Sequence, residues 1–274
     1  MLEVSRSAYY DWLKRPPSQR KLKDQAILRE LVRLHQSYPV LGLDSLHQMV
    51  RPKIPCARKR VWRLMKQGNI HSLRKRAYKR TTNSNHKNPI APNLLMREFT
   101  CQKPNQVWVG DITYIPTGEG WLYLAIVKDL FLKKIIGYAY GNRIDTQLTL
   151  DALEMAVKRQ KPKKCLVFHS DRGVQYASVD YRNALEGYGF QQSMSRKGDP
   201  YDNAVAENFF SCLKCECVYL DYFSTRSQAK NAVFHYIEAF YNSVRPHSGI
   251  GWLAPNAFEN LFLSELFEKT QIIA

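Results

Sequence analysis

The chain has 274 residues, 45% hydrophobic and 24% charged, ordinary globular usage that supports a sizeable core in one or two domains. Lys and Arg exceed Asp and Glu by 17, and residues 1–90 carry +16 of that excess, an asymmetry that favours nucleic acid first and an anionic membrane surface second. The longest apolar run, Trp121–Val127, is too short for a membrane span. No secretory h-region follows Met1, and six Cys are too few for a disulfide framework, so an intracellular, reduced protein without membrane partners is expected.

Helical periodicity fills residues 25–70. Ile27, Leu28, Leu31, Val32 and Leu34 space apolar residues by three and four. A short second segment runs from Asp44 through Leu46, Met49 and Val50 to Pro52. A third runs from Ala57 through Val61, Leu64 and Met65, with Gly68 as its C′ residue. Two short helices joined by a tight turn, the second carrying Arg58, Lys59, Arg60 and Arg63, suit a helix-turn-helix reader of DNA. A solvated basic face on a small bundle is the plainer alternative. Residues 71–92 hold Arg74, Lys75, Arg76, Lys79, Arg80 and Lys87 with no acidic residue, the composition of a basic linker that orders on DNA.

From residue 105 the texture changes. Val107–Ile115, Trp121–Val127 and Lys134–Tyr140 are rich in β-branched and aromatic residues and predict an antiparallel meander. Thr146–Val157 reads as a helix, Cys165–His169 as a buried strand, Val179–Leu185 as a helix and Phe190–Met194 as a strand. Asp199 as N-cap, Pro200 at N1 and Asp202 at N3 launch a helix to about Val218. A last helix covers Ser227–Tyr241. The order predicts an α/β class with helices flanking one sheet.

Three acidic residues stand out. Asp111 interrupts the apolar strand Val107–Tyr114, where a carboxylate is costly to bury unless paired or bound to metal. Asp171 follows Leu166-Val167-Phe168-His169-Ser170, at the mouth of the next central strand. Glu207 lies in the helix opened by Asp199-Pro200. Fifty-nine residues separate the first two and 35 the second pair. Converging carboxylates suit magnesium, which takes one or two of them while a substrate phosphate supplies further oxygens. Two such ions can activate the attacking oxygen and stabilise the leaving oxygen of a phosphoryl displacement.

Several segments, in order, carry a resemblance. They are Ser5-Arg6-Ser7-Ala8-Tyr9-Tyr10-Asp11-Trp12, Val61-Trp62-Arg63-Leu64-Met65-Lys66, Gly110-Asp111-Ile112-Thr113-Tyr114, His169-Ser170-Asp171-Arg172-Gly173-Val174-Gln175-Tyr176 and Gly198-Asp199-Pro200-Tyr201-Asp202-Asn203. Tyr241-Asn242 and Arg245-Pro246-His247-Ser248 follow. Together they resemble the second-frame (OrfB) transposases of the insertion-sequence-three family, within the retroviral-integrase superfamily, whose signature is Asp, Asp and a Glu after 35 residues. The resemblance implies a ribonuclease H-like mixed five-stranded sheet flanked by helices, preceded by a small all-α helix-turn-helix region. The expected boundaries are 1–70 for the basic helical region, 71–104 for the linker, 105–262 for the catalytic core and 263–274 for a tail.

It further implies a DNA transposase that cleaves and joins strands at element ends, with catalytic and metal-binding Asp111, Asp171 and Glu207 and two Mg²⁺ or Mn²⁺ ions. Element-end and target DNA are the implied partners, with an upstream-frame (OrfA) protein or fusion and a homo-oligomer on DNA, in the bacterial cytoplasm at the nucleoid. Lys214 matches the family's basic contact to end DNA; a solvated lysine is the alternative. Asn203 either orients Glu207 or serves the first helical turn. His169 either touches a metal-bound water or phosphate or is a satisfied buried imidazole. Arg74, Lys75 and Arg76 join the α-helical arginines as DNA contacts. Cys212, Cys215 and Cys217 read as thiols packed on a helix rather than zinc ligands. Arg245 and His247 read as packing onto the core. A ribonuclease H-like nuclease without strand transfer, and a DNA-binding regulator without catalysis, remain the competing functions.

Overall fold

Hydrophobic periodicity gives each of two units its own buried side chains. The computed structural model describes residues 5–75, 89–96, 98, 100–196 and 204–273, with side chains of the last helix through residue 266. Residues Met1–Leu73 form one unit and Arg74–Ala274 the other.

In the first unit, helices α1 (Arg6–Lys14), α2 (Gln19–Ser37), α3 (Leu43–Val50) and α4 (Arg58–Gln67) follow one another. Ser5 and Ser18 cap α1 and α2, each hydroxyl accepting a backbone N–H in the first turn. Ile27, Leu31 and Leu34 of α2, Leu46 and Val50 of α3, and Val61 and Leu64 of α4 are buried, as the sequence periodicity predicts, whereas Val32 is exposed and Leu28 and Met49 are half-buried. Gly68 does end α4, though not as a left-handed C′ residue. Its φ is −89°, a Cβ there would come within 2.7 Å of Leu28 Cδ1, and Asn69 takes the left-handed conformation at φ 52°.

The second unit is built on five strands: β1 (Val107–Thr117), β2 (Gly120–Asp129), β3 (Ile135–Gly141), β4 (Val167–Ser170) and β5 (Gln191–Met194), in the order β3-β2-β1-β4-β5. β1, β2 and β3 are antiparallel, and β4 and β5 run parallel to β1 and to each other. Parallel pairing requires crossovers, supplied here by α5 (Thr146–Gln160) and α6 (Val179–Tyr188). These two helices cover one face, burying Trp108, Phe168, Ala152, Ala156, Tyr181 and Leu185 together. The other face is covered by α7 (Ala204–Glu216) and α8 (Arg226–His235) with its π-helical continuation Tyr236–Tyr241, through Ile115, Leu122, Phe209, Leu213, Val233 and Tyr241. This is the mixed five-stranded sheet flanked by helices that the resemblance implies.

One contact sets how closely α5 lies on β3. A Cβ on Gly137 would overlap the Ala152 carbonyl oxygen and sit 2.8 Å from the Ala156 Cβ. Gly137→Ala must push the helix off the sheet, at a cost near the upper end of overpacking, about 3 kcal/mol. A fall in melting temperature of roughly 5–10 °C is expected by calorimetry.

Two expectations are corrected. The 263–274 tail is not separate, because α9 (Pro255–Ile273) runs unbroken across residue 262, with the Phe258 and Phe262 rings packed against Phe131. Part of the 71–104 linker is core: Leu95 is buried, Leu94 N donates to Ser193 Oγ at 2.9 Å, and Met194 N donates to the Pro92 carbonyl. The expected cap at Asp199-Pro200-Asp202 lies outside the described residues.

Candidate active site

Sheet register brings the first two carboxylates together. β1 and β4 are parallel, with Gly110 opposite Ser170, so Asp111, inside β1, and Asp171, just past the end of β4, are the next residues in register on neighbouring strands. Gly110 is required there: a Cβ would come within 2.6 Å of the Phe168 ring and 3.2 Å of the Tyr176 ring. Each aspartate is aimed by a local hydrogen bond. Ile112 N donates to Asp111 Oδ1 at 2.8 Å, and Gly173 N donates to Asp171 Oδ1 at 2.9 Å.

Glu207 comes from the first turn of α7, whose buried side is Ala206, Phe209, Phe210, Cys212, Leu213, Cys215 and Glu216. Glu207 and Ser211 are exposed on the opposite side, with Lys214 half-buried. The packed face therefore centres on Ala206, Phe209 and Leu213, and Val205 and Cys217 are only partly buried.

The three carboxylates share one electrostatic neighbourhood. Burial, then the Asp171 charge, pushes Asp111 well above the ordinary carboxylate range, and Glu207 adds to the push; the Ile112 N–H and Lys214 oppose it. Burial and Asp171 also raise Glu207. Burial lowers Lys214 below the usual lysine value, with Asp111 opposing. The Lys214 ammonium lies 4.8 Å from the centroid of the Tyr114 ring, a cation–π contact that fixes its direction.

A raised carboxylate makes the folded chain hold a proton that the unfolded chain has already released. Stability without metal therefore falls as pH rises from the ordinary aspartate value through the raised value of Asp111. Asp111→Asn should melt higher than the parent at pH 7 in chelator, by several degrees. The difference should vanish near pH 3, where both states are protonated. Thermal melts across pH check this.

Among the described residues, no three His, Cys, Asp or Glu side chains are gathered tightly enough to hold a metal ion unaided. The fit for a hard cation lies in the Asp111–Asp171 pair, since magnesium commonly takes one or two carboxylates and completes its shell with water and phosphate.

His169 has a different task from touching metal or phosphate. It is fully buried, with Nδ1 2.8 Å from Ser193 Oγ and Nε2 3.2 Å from Ser195 Oγ, so it ties β4 to β5 as a satisfied imidazole. Asn203 and Arg76 lie outside the described residues. On α4, Arg58 donates to Asp44 at 2.5 Å, and Arg60 and Arg63 donate to the two oxygens of Asp24 at 2.7 and 2.6 Å, while Lys59 is exposed. Such pairs at a protein surface are screened by solvent and weak enough for phosphate to compete. Arg74 reaches Glu216 at 3.2 Å, and the Lys75 backbone N–H donates to the Cys215 carbonyl.

The residues that sequence reasoning missed lie behind α7. Lys128 is 3% exposed, its pKa lowered by burial to about 7, and it donates to the Val205 carbonyl at 3.4 Å. Glu216 is buried and accepts from Arg245 and Tyr236. A lysine closing the apolar run Leu122–Val127 and a glutamate on a helix's core side were the available signals.

The sequence carries this geometry in a known setting. The integrase core domain family matches residues 102–200 and again 188–255. The chain is 43% identical over 263 residues to the "Insertion element IS600 uncharacterized 31 kDa protein" of Shigella sonnei, covering 94% of this chain and 96% of that one. It is 38% identical over 267 residues to "Transposase InsF for insertion sequence IS3A" of Escherichia coli K12, covering 95% and 92%. The chain belongs to the IS3-type transposases. It is thus an enzyme that cleaves and joins DNA, built on an integrase core. Among solved structures, the transposase is similar to a chain of the simian T-cell lymphotropic virus intasome in complex with PP2A regulatory subunit B56 gamma. That match has 17% identity over 80% of this chain and 70% of that chain, with a TM-score of 0.47. The HTLV-2 integrase catalytic core domain in complex with magnesium matches at 17% identity over 53% and 92%, with a TM-score of 0.41.

Proposed function

We propose that Asp111 and Asp171 are the metal-binding pair of this transposase, that Glu207 completes the site, and that two Mg²⁺ or Mn²⁺ ions are held there. The observation that carries the reading is the placement of Asp111 and Asp171 side by side after the Gly110–Ser170 register pair, where each charge raises the cost of the other. Bound divalent cations supply the Lewis-acid charge that activates an attacking oxygen and stabilises a leaving one.

The chain's own residues do the rest. Exposed Glu207 stands where a phosphodiester can approach, and Lys214, held over Tyr114, offers a cation to the phosphate next to the scissile bond. Glu207 and Lys214 are seven residues apart on one helical face, so one DNA strand can meet both. The first unit supplies basic contacts to the duplex through Lys59 and the exchangeable Arg58, Arg60 and Arg63, with Arg74, Lys75 and Arg76 continuing the run. Element-end and target DNA, an upstream-frame protein or fusion, and a second copy on DNA are the partners of this reading, at the bacterial nucleoid. No helix among the described residues is long and apolar enough to cross a membrane.

The test is a cleavage and joining assay on element-end DNA, with and without Mg²⁺. Metal-dependent cleavage with strand-transfer products is expected. Cleavage that never yields joined product would favour a nuclease, and DNA binding with neither would favour a regulator.

A further inference from the structure

The segment Tyr241–His247 packs behind α7, and its chemistry bears on where Glu207 sits. Glu216 lies nine positions after Glu207, two and a half helical turns, so the two point to opposite sides of α7. Glu207 is exposed at the carboxylate site, whereas the Glu216 side chain is 2% exposed, inside the core.

Glu216 is held on every side. Arg245 Nε donates to Oε2 at 2.8 Å and Nη2 donates to Oε1 at 2.9 Å, a two-pronged guanidinium–carboxylate pair. Tyr236 Oη donates to Oε2 at 2.8 Å, and Arg74 Nη2 reaches Oε1 at 3.2 Å. Arg245 also donates to Cys212 Sγ, one turn earlier on the same helix, at 3.3 Å. At the other end of α7, Lys128 donates to the Val205 carbonyl.

Arg245 is itself fixed. It lies 5.8 Å from the Tyr241 ring centroid, and Tyr241 stacks edge-on against Phe209 and His247. Asn242 ties the segment to the sheet, its side chain accepting from Ile135 N at 3.0 Å and donating to the Ile135 carbonyl at 2.9 Å. A chain of fixed contacts thus runs from β3 through Asn242 and Arg245 to Glu216.

Helix rotation is what such a clamp resists. Apolar contacts set how closely α7 lies on the sheet, but they are non-directional and tolerate a roll of the helix. A forked pair on one side fixes the roll. A roll of 20° would carry a carboxylate on the outer side of the helix by an ångström or more at a radius of about 5 Å, enough to spoil a metal ligand.

We propose that Arg245, acting on Glu216, is a positioning residue that sets the rotation of α7 and hence the placement of Glu207 at the carboxylate site. The inference rests on the reading of Glu207 as part of that site. Its prediction is a change in metal dependence rather than in folding or DNA affinity.

The experiment uses the full chain with Arg245→Lys, which keeps the charge and loses the fork, and Tyr236→Phe, which deletes one hydroxyl and keeps the ring. Melting, gel shift on duplex DNA, Mn²⁺ calorimetry and Mn²⁺-dependent cleavage are measured for each. Arg245→Lys should need about tenfold more Mn²⁺ for half-maximal cleavage and bind Mn²⁺ correspondingly more weakly, and Tyr236→Phe a few-fold more. Both should bind duplex DNA as the parent does. In a Glu207→Gln background, Arg245→Lys should weaken Mn²⁺ binding no further, since both changes act through one carboxylate. Parental Mn²⁺ dependence in folded Arg245→Lys would overturn the proposal. If Arg245→Lys does not fold, parental dependence in Tyr236→Phe does the same. If Glu207→Gln alone leaves Mn²⁺ binding and cleavage unchanged, it is the reading of the site that fails.

Discussion

Glu207→Gln should abolish cleavage and joining by three or more orders of magnitude while leaving the fold and DNA affinity intact. The substitution keeps side-chain size and helix propensity, and the position is exposed on α7, so packing does not register the change. Charge does. The Glu207 carboxylate lies in the field of Asp171 and adds to the field at Asp111, so its neutralisation relieves repulsion in the metal-free chain. The melting temperature in chelator should therefore hold or rise slightly, and phosphate should meet a less negative site. The neutral amide oxygen is a poorer ligand for a hard cation, which is why catalysis falls. One preparation assayed by calorimetry, gel shift and strand transfer checks all three parts. A Glu207→Gln variant that joins DNA at the parental rate would remove the residue from the mechanism.

The second large effect concerns charge at a distance. A chain beginning at residue 91 keeps the five strands and all three carboxylates but only +1 of the +17 net charge. Duplex binding by the parent should weaken steeply with salt, because each neutralised phosphate releases counterions. The shortened chain should bind at least a hundredfold more weakly at 0.1 M salt, with a much shallower logarithmic slope. Gel-shift titrations at several salt concentrations measure both. An unchanged slope would move the DNA contacts into the catalytic unit.

The sheet was legible because its strands announce themselves. Val107–Ile115, Trp121–Val127 and Lys134–Tyr140 are β-branched and aromatic runs broken by glycine and charged turns, and they appear as β1, β2 and β3. Asp111 and Asp171 were legible for a related reason: an acidic residue in or just beyond an apolar strand needs an explanation. Helix α1 is hidden differently, since none of its residues is buried and the face shared by Tyr9, Trp12 and Leu13 stays exposed. Helix α9 hides its packing face, because Phe258 and Phe262 pack on Phe131 while Leu261, Leu263 and Leu266 are exposed. Glu216 was illegible on its own. On a helix it reads as one more surface acid, and its meaning depends on Arg245, 29 positions later and brought to it by the turn after α8. His169 was read two ways, and only the positions of Ser193 and Ser195 on and beside β5 decide for the satisfied imidazole.

The Gly110–Ser170 register pair separates what the chain must keep from what it is free to change. Asp111 and Asp171 meet because two strands are neighbours, and everything between them, β2, β3, α5 and their turns, is an excursion that leaves and returns. The length of that excursion is a property of the loops. The exposed Lys161–Lys164 stretch can grow or shrink by whole residues without moving either aspartate, whereas a single residue added inside β1 or β4 would turn its carboxylate to the opposite face. Insertions that leave the enzyme working should therefore collect between the strands and stop abruptly at their edges.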